Sequence, residues 1–347
     1  MRIVNSVLGD ATGGRWQVVC EYSRVLSQRG FRVLMLLNEA HLPDLEQIPA
    51  AVTVERIRNH GHYDYLAAHA ARRCLQAFKP DLTIAHCSRS VALLKRAAKG
   101  VAPVVAVTHS NKVKRLLPAD AYLALTAHIE SRIKQAGPPA STRPCYLVPN
   151  MIDVGDGRCP AKQRHDPPRI GALGRFDPVK GFDVYIEALG LLRTRGIPFQ
   201  AVLGGNGDER QHLQEQARRL GLMGQLEFPG WIDAVSEFLA GIDILCVPAR
   251  SDAFGLTPLQ AAVAGVPMVL SQAPGHREIA RDGEHALFSA IDDVAATADR
   301  MQQLMTDGAL SEQLRQAAHR HVVERFGTRG VTEQLIQAIV SIVKYYK

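Results

Sequence analysis

Residues 244–270 read ILCVPARSDAFGLTPLQAAVAGVPMVL and contain three structural elements in a row. Ile244–Val247 and Pro267–Leu270 are short, continuous apolar runs, typical of buried strands. Between them lies a glycine-containing loop, then a helical stretch over Leu259–Ala264 that we predict to begin near Pro258. Two buried strands joined through a helix predict a parallel pair with the helix packed on the sheet.

The same alternation of strand and helix extends over most of the chain. A first series of predicted strands comprises Arg2–Val7, Phe31–Leu37, Leu82–Ala85, Val104–Thr108, Tyr122–Leu125 and Tyr146–Val148. A second series begins with Arg169–Leu173, Gln200–Gly204 and Leu226–Phe228. We therefore predict an α/β protein with two doubly wound parallel-sheet domains.

The domain boundaries follow from composition. Residues 151–168 lack periodicity and are rich in Gly, Pro and charge. We predict a first domain over 1–155, a linker over 156–168 and a second domain over 169–330. Beyond Gly283 the strand signal fades into polar helices. The last segment, 331–347, is a helix with one apolar face that we expect to pack back on the first domain.

Composition excludes several classes of protein. With 347 residues, 46% hydrophobic and 22% charged, the chain is typical of a globular protein. No stretch approaches the roughly 20 apolar residues that span a bilayer, and the N-terminus does not resemble a secretory signal. The six cysteines are scattered without a C-x-x-C pair, which indicates free thiols, no zinc site and a cytoplasmic location.

The positive charge is concentrated in the first half of the chain. Residues 1–168 carry 23 Lys+Arg and 13 Asp+Glu, whereas residues 169–347 carry 18 and 21. Between Asp81 and Asp120 there is no acid, but there are seven cations: Arg89, Lys95, Arg96, Lys99, Lys112, Lys114 and Arg115. This asymmetry predicts an anionic partner, namely nucleic acid, a membrane surface or a phosphorylated substrate. A solvated basic face is the plainer alternative.

Glycine-rich turns follow several predicted strands. Gly9-Asp10-Ala11-Thr12-Gly13-Gly14 lacks the dinucleotide-binding spacing but leads into a helix, where phosphate is attracted. A tight turn with nothing bound is the alternative. Gly174 is followed by Arg175 and Lys180, two cations suited to a diphosphate. Gly204-Gly205-Asn206-Gly207-Asp208 is a further turn of this kind.

The loop before the helix near Pro258 also carries candidate ligand groups. Asp252 lies in the loop and Gln260 lies one turn into the helix, so both can point into one pocket. The backbone N–H groups of Phe254, Gly255, Leu256 and Thr257 can face a phosphate.

These motifs together resemble the family-four glycosyltransferases of the GT-B fold along nearly the full length of the chain. The resemblance rests on the glycine turns above, Phe228-Pro229-Gly230, the segment from Asp252 to Gln260, Gly265-Val266-Pro267 and Val148-Pro149-Asn150-Met151-Ile152-Asp153. It implies two Rossmann-like domains that face a cleft, with the nucleotide-sugar held mainly by the second domain and the acceptor by the first. It also implies transfer with retention of configuration and without an obligatory metal.

The resemblance also implies roles for single residues. Arg175 and Lys180 neutralise the diphosphate, Asp252 and His109 contact the donor sugar, and Gln260 binds the ribose. Gly14 and Gly205 let the backbone approach the donor, and the base is read near Trp231 and Ile232. Where the family has two glutamates, this chain has Asp252 and Gln260. Aspartate is one methylene shorter, and glutamine loses the charge, which places the identity of the UDP- or GDP-linked donor in question.

The resulting hypothesis is a hexosyltransferase that uses a nucleotide-sugar and an anionic lipid-linked or envelope glycan acceptor, such as lipopolysaccharide core. Lys112, Lys114 and Arg115 would contact an anionic membrane peripherally. Two alternatives are a nucleotide-sugar-binding homologue without activity and a basic nucleic-acid-binding protein. Nucleic acid is not expected, because the stretch from Arg89 to Arg115 lacks interleaved aromatic residues.

Overall fold

The first part of the chain folds into a parallel α/β unit in the computed structural model, which describes residues 1–9, 11–41 and 45–347. Its strands are β1 (Arg2–Val7), β2 (Arg32–Asn38), β3 (Thr53–Ile57), β4 (Leu82–Ala85), β5 (Val104–Val107), β6 (Ala121–Ala124) and β7 (Cys145–Leu147). Its helices are α1 (Gly13–Gln28), α2 (Tyr65–Phe78), α3 (Ser88–Ala97) and α4 (Ala127–Gln135). The strands run parallel in the order β3-β2-β1-β4-β5-β6-β7.

The second part of the chain repeats this architecture. Its strands are β8 (Arg169–Leu173), β9 (Gln200–Gly204), β10 (Leu226–Gly230), β11 (Ile244–Val247), β12 (Met268–Ser271) and β13 (Leu287–Ser289). Its helices are α5 (Phe182–Thr194), α6 (Arg210–Arg219), α7 (Val235–Ala240), α8 (Leu256–Val263), α9 (Pro274–Ile279), α10 (Val294–Thr306) and α11 (Gly308–Phe326). The parallel order is β10-β9-β8-β11-β12-β13. The predicted α/β class with two doubly wound sheets is confirmed.

The chain separates into two compact units, Met1–Met151 with Thr328–Lys347, and Ile152–Gly327. The final helix, α12 (Thr328–Tyr346), belongs to the first unit, where the Tyr346 hydroxyl donates a hydrogen bond to the Asp120 carbonyl at 2.6 Å. Residues 156–168, which we expected to form a linker, are attached to the second unit. The Lys162 ammonium donates to the Leu239 carbonyl at 2.9 Å, and Arg164 donates to the Leu304 carbonyl at 2.6 Å.

Strand order in each unit places ligand-binding positions at one edge. In the first unit the order reverses between β1 and β4, and in the second unit between β8 and β11. Doubly wound folds bind ligands beyond the carboxyl ends of the strands at such reversals. The strands beside the reversals are almost wholly buried, because helices cover both faces of a parallel sheet.

Several predicted strands are displaced by one or two residues, and three elements show the physical reasons for larger differences. Strand β3 was missed because it lies at the sheet edge, where Glu55 and Arg56 are exposed and break the apolar pattern. Strand β13 was missed because three residues carry too little periodicity to be recognised, so the expected loss of strand signal beyond Gly283 is wrong. Helix α8 begins at Leu256, two residues before Pro258, because Gly255 supplies the left-handed residue that precedes it.

Two further properties concern the environment of the protein. All six cysteines are free thiols. In the described part of the chain, no helix combines the length and the apolar character that crossing a bilayer requires.

Candidate active site

Two backbone turns meet at the carboxyl edge of the second unit's sheet. The Gly174 N–H donates to the Gly204 carbonyl at 3.0 Å, and the Phe176 N–H donates to the Asn206 carbonyl at 2.8 Å. Gly205 has a φ of +144°, and a Cβ there would lie 1.9 Å from the Gly174 oxygen. Only glycine fits this approach, so the turns after β8 and β9 present bare backbone to a ligand.

The loop that carries Lys180 is fastened to the loop after β11. Gly181 ends the Pro178–Lys180 turn with a φ of +66°, and a Cβ there would lie 2.3 Å from the Pro248 oxygen. The Arg250 N–H donates to the Val179 carbonyl at 2.8 Å. Two loops that are distant in sequence therefore contact one another at the strand-order reversal.

This arrangement brings Lys180 and Asp252 together. The Lys180 Nζ lies 2.8 Å from Asp252 Oδ2, and the two side chains are 29% and 17% exposed. The Phe254 N–H donates to Asp252 Oδ1 at 3.3 Å. Burial raises the pKa of Asp252, but Lys180, His276 and the hydrogen bonds outweigh it, and the net pKa is lowered. Asp252 is therefore an anion at neutral pH.

His276 lies beneath the Asp252 loop. Its side chain is fully buried, and Nδ1 donates to the Ser271 carbonyl at 3.0 Å, which leaves Nε2 as an acceptor in the neutral ring. Burial lowers the pKa of His276, while Asp252 opposes the shift. No motif in the sequence singles out His276. Its position beneath Asp252 makes it part of the site's support.

Helix α8 opens toward the same edge. Its N-cap, Gly255, has a φ of +109° and no side chain to occupy the free N–H groups of the first turn, which begins with Leu256 and Thr257. Gln260 is half-buried one turn further on. The Phe254 ring packs edge-on against Phe326 with centroids 5.5 Å apart, so only the backbone of Phe254 can face a ligand.

The remaining predicted donor residues lie nearer the surface. Arg175 follows β8, is 61% exposed and lies 3.9 Å from the Asp177 carboxylate, too weak a contact to hold the guanidinium. Trp231 is 50% exposed just after β10. Ile232 packs on Gly204, where a Cβ would lie 2.7 Å from its side chain. Arg175 is thus free to turn toward an anion, and Trp231 offers an open ring face.

The first unit presents a second set of predicted residues at its own carboxyl edge. His109 follows β5, is partly exposed, and its Nε2 lies 2.8 Å from Nδ1 of the buried His86. Burial and the neighbouring Arg15 lower the pKa of His109 to about 3. Gly14 is exposed in the first turn of α1, beside Arg15. Asp10, which precedes it in the sequence, lies outside the described residues.

Comparison with known proteins identifies the family. Residues 12–156 match the profile of "Glycosyltransferase Family 4", and residues 159–321 match that of "Glycosyl transferases group 1". The chain belongs to the family 4 glycosyltransferases. It is a nucleotide-sugar-dependent, retaining glycosyltransferase of the GT-B fold, within enzyme class EC 2.4.

Individual relatives of this glycosyltransferase are distant. The lipopolysaccharide core biosynthesis glycosyltransferase LpsE of Rhizobium meliloti (strain 1021) is 28% identical over 79% of this chain and 78% of its own. Phosphatidyl-myo-inositol mannosyltransferase of Mycobacterium tuberculosis is 27% identical over 96% and 94%. The crystal structure of Anabaena HepE with UDP and glucose has a TM-score of 0.83 at 19% identity, over 98% of this chain and 100% of that one, and shows the same fold.

The basic surface of the glycosyltransferase lies on its first unit. Lys112, Lys114 and Arg115 are exposed between β5 and β6. The acid-free stretch is less uniform than its sequence indicates, because Lys95 forms an ion pair with Asp120 at 2.5 Å. The fold also supplies the aromatic residues that this stretch lacks. The Arg96 guanidinium lies over the rings of Tyr63 and Tyr65, which are 78% and 72% exposed.

Sequence reasoning missed His86 and Asn5 in this unit. His86 follows β4 as His109 follows β5, and the two strands are parallel neighbours. Asn5 is a polar residue within the otherwise apolar run of β1. Both signals were present in the sequence, but their meaning depends on which strands are adjacent.

Proposed function

We propose that this glycosyltransferase transfers a hexose from a UDP- or GDP-linked donor to an anionic lipid-linked or envelope glycan acceptor, such as lipopolysaccharide core. The observation that carries the donor site is the Lys180–Asp252 pair, held at 2.8 Å at the strand-order reversal beside the open start of α8. Support for the acceptor comes from LpsE, the lipopolysaccharide core glycosyltransferase that matches most of the chain.

In this proposal Arg175 and Lys180 stabilise the leaving group. Breaking the bond from sugar to phosphate places negative charge on the departing nucleoside diphosphate. Lys180, held in place by Asp252, the exposed Arg175 guanidinium and the N–H groups of Gly255, Leu256 and Thr257 meet that charge. Because these groups supply the positive potential, the transfer does not require a metal ion.

The other groups orient the donor. Asp252, which Lys180 and the Phe254 N–H hold in place, contacts the donor sugar. Gln260 binds the ribose, and the base stacks near Trp231 and Ile232. Gly205 and Gly14 allow close backbone approach, and His109 contacts the donor sugar.

A donor screen tests this function. The full chain is incubated with UDP-, GDP- and ADP-hexoses and a purified lipopolysaccharide core acceptor, and nucleoside diphosphate release is followed. We expect one donor to be consumed only when the acceptor is present. The same donor at 100 times its Kd should raise the free energy of unfolding by about 2.7 kcal/mol. If no nucleotide-sugar is consumed or stabilises the protein, and DNA binds tightly in a salt-sensitive way, the proposal is contradicted.

We also propose that the first unit contacts the inner face of the cytoplasmic membrane peripherally. Each Lys or Arg near an anionic leaflet contributes about 1 kcal/mol, and the effect fades within roughly 8 Å at physiological salt. Lys112, Lys114 and Arg115 are exposed on the half of the chain with excess positive charge, and Tyr63 and Tyr65 offer exposed aromatic surface.

Liposome co-sedimentation tests the membrane contact. Binding should need anionic lipid, fall as salt rises and drop about tenfold or more when Lys112, Lys114 and Arg115 are changed to Ala. The matched control changes three exposed arginines of the second unit, Arg195, Arg218 and Arg219, to Ala and should bind as the wild type does. Equal binding to neutral and anionic vesicles would reject the contact.

A further inference from the structure

A buried row of polar groups begins at Asn5 and ends at His109. The Asn5 side chain is fully buried in β1, and its Nδ2 donates to the Val19 carbonyl at 2.9 Å and to Ser23 Oγ at 2.8 Å. A backbone carbonyl can only accept a hydrogen bond, so the amide orientation is determined by Val19. The Asn5 oxygen must therefore point away from Val19, toward His86.

The orientation of Asn5 determines which nitrogen of His86 carries hydrogen. Asn5 Oδ1 lies 2.7 Å from His86 Nε2, and because this oxygen only accepts, Nε2 must be the donor. Burial, with His109 and Arg15 nearby, lowers the pKa of His86 well below its usual range, so the ring is neutral. Its Nδ1 then carries no hydrogen and can only accept.

The same argument determines which nitrogen of His109 carries hydrogen. His109 Nε2 lies 2.8 Å from His86 Nδ1, so it must donate, and the two ring planes are inclined by 24° with centroids 5.1 Å apart. Since His109 is also neutral at pH 7, its Nδ1 carries a lone pair and no hydrogen. Within the residues that the structure describes, nothing hydrogen-bonds to this Nδ1. It is an unused acceptor on a partly exposed side chain at the carboxyl edge of the sheet.

We propose that Asn5 and His86 are positioning residues that lock His109 in its Nε2–H tautomer, so that Nδ1 accepts a hydrogen bond from one hydroxyl of the donor sugar. This inference rests on the proposed function, in which His109 meets that sugar. It assigns His109 the role of reading a hydroxyl, with no part in supplying a proton. A deoxy sugar leaves the acceptor unpaired, and a carboxylate in the same place is repelled by the nitrogen lone pair.

Nitrogen NMR of the full chain with labelled histidine rings identifies the tautomer of each ring, and this measurement does not depend on enzyme activity. We expect the Nε2–H pattern for both His86 and His109 at neutral pH. His86→Leu removes the acceptor, and His109 should then populate both tautomers. His86→Asn has the same branched shape as His86→Leu but offers an oxygen near the former Nδ1, so it should restore the Nε2–H form. An Nδ1–H or doubly protonated His109 in the wild type overturns the proposal.

Monodeoxy analogues of the accepted donor test the hydroxyl. In the wild type we expect one analogue to lose about tenfold in kcat/KM beyond the others. That selectivity should vanish in His109→Ala, weaken in His86→Leu and return in His86→Asn. If the enzyme is active and every monodeoxy analogue has the same kcat/KM, this inference is overturned and the proposed function is not. Turnover of no nucleotide-sugar overturns the proposed function, and the hydroxyl partner with it, while the NMR result still reports on the tautomer lock.

Discussion

The carboxyl edges of the two sheets have the same strand order, but one carries an ion pair and the other a pair of neutral histidines. In the second unit a cation and an anion, Lys180 and Asp252, meet at 2.8 Å with little exposure. In the first unit two imidazoles, His86 and His109, meet at the same distance, and their lowered pKa values keep both rings neutral. One edge holds a preformed charge pair, whereas the other holds an oriented but uncharged row.

This contrast runs against the net charge of each part. The excess of Lys and Arg lies in residues 1–168, yet His86 and His109 at the sheet edge of that half are neutral. Residues 169–347 are slightly acidic but place Lys180 at the carboxyl edge of their sheet, paired with Asp252. Net charge therefore determines the long-range attraction of the surface for other molecules. The charge state of the side chains at each sheet edge depends instead on burial and on pairing with neighbours.

Removing the cations of the charged edge should produce the largest effect. Arg175→Ala and Lys180→Ala should each lower kcat by about 10²–10³-fold at saturating donor, because a cation that stabilises the departing diphosphate is lost. Turnover is measured by nucleoside diphosphate release, with circular dichroism to check the fold. Arg219→Ala removes an exposed cation at the end of α6 and should leave kcat unchanged. Near-normal turnover in both site variants would remove the diphosphate role from this edge.

Replacing either member of the Lys180–Asp252 pair should show how much the pair contributes to the stability of the fold, apart from its role in catalysis. Asp252→Asn and Lys180→Met each leave a half-buried charge without its partner, and each should lower the free energy of unfolding by about 1–3 kcal/mol. The double variant should lose less than the sum, because neither charge then remains unpaired. Urea unfolding of the four proteins measures this coupling. Strict additivity would mean that the 2.8 Å contact contributes no stability.

The stability of the protein should fall at acid pH because of His109 at the edge of the first unit's sheet. Between pH 6.5 and about 3, unfolded His109 binds a proton that folded His109 does not. The unfolded state therefore gains protons first, and stability, complete above pH 6.5, is lost as pH falls toward 3. His109→Gln keeps an N–H donor toward His86 but cannot titrate, so its stability should fall less steeply, by up to about 1.4 kcal/mol per pH unit.

Urea unfolding between pH 7 and 4 measures that slope. An unchanged slope in His109→Gln would show that His109 is not held neutral by the fold, and the contrast between the two edges would lose its main support.

The smallest expected effect concerns Gln260 on α8. Gln260→Ala should weaken donor binding about tenfold or less, whereas Gln260→Glu should keep or improve it, because a carboxylate accepts ribose hydroxyls more strongly than an amide. Isothermal titration with the accepted donor measures both. Wild-type affinity in Gln260→Ala would place the residue away from the ribose, and loss of binding in Gln260→Glu would indicate a pocket built around the neutral amide.

Much of the fold was predictable because its signals are local. Strands β1, β4, β8, β9 and β11 have the predicted bounds, since continuous apolar runs between glycine turns are typical of buried parallel strands. Strand β3 was not predictable, because an edge strand tolerates exposed charges. In the site, Lys180 and Asp252 were selected singly from their places after strands. Their pairing across 72 residues was not predicted.

The sequence by itself determined the alternation of strands and helices, the glycine turns, the family and the residues that stand at strand ends. Those properties depend on neighbours along the chain. Only the tertiary structure decided that Asn5, 81 residues from His86, orients its ring, and that His86 in turn orients His109. Such pairings depend on which strands lie side by side and on how completely water is excluded. Burial in that setting shifts the pKa values, so the charge of each edge is a property of the folded molecule.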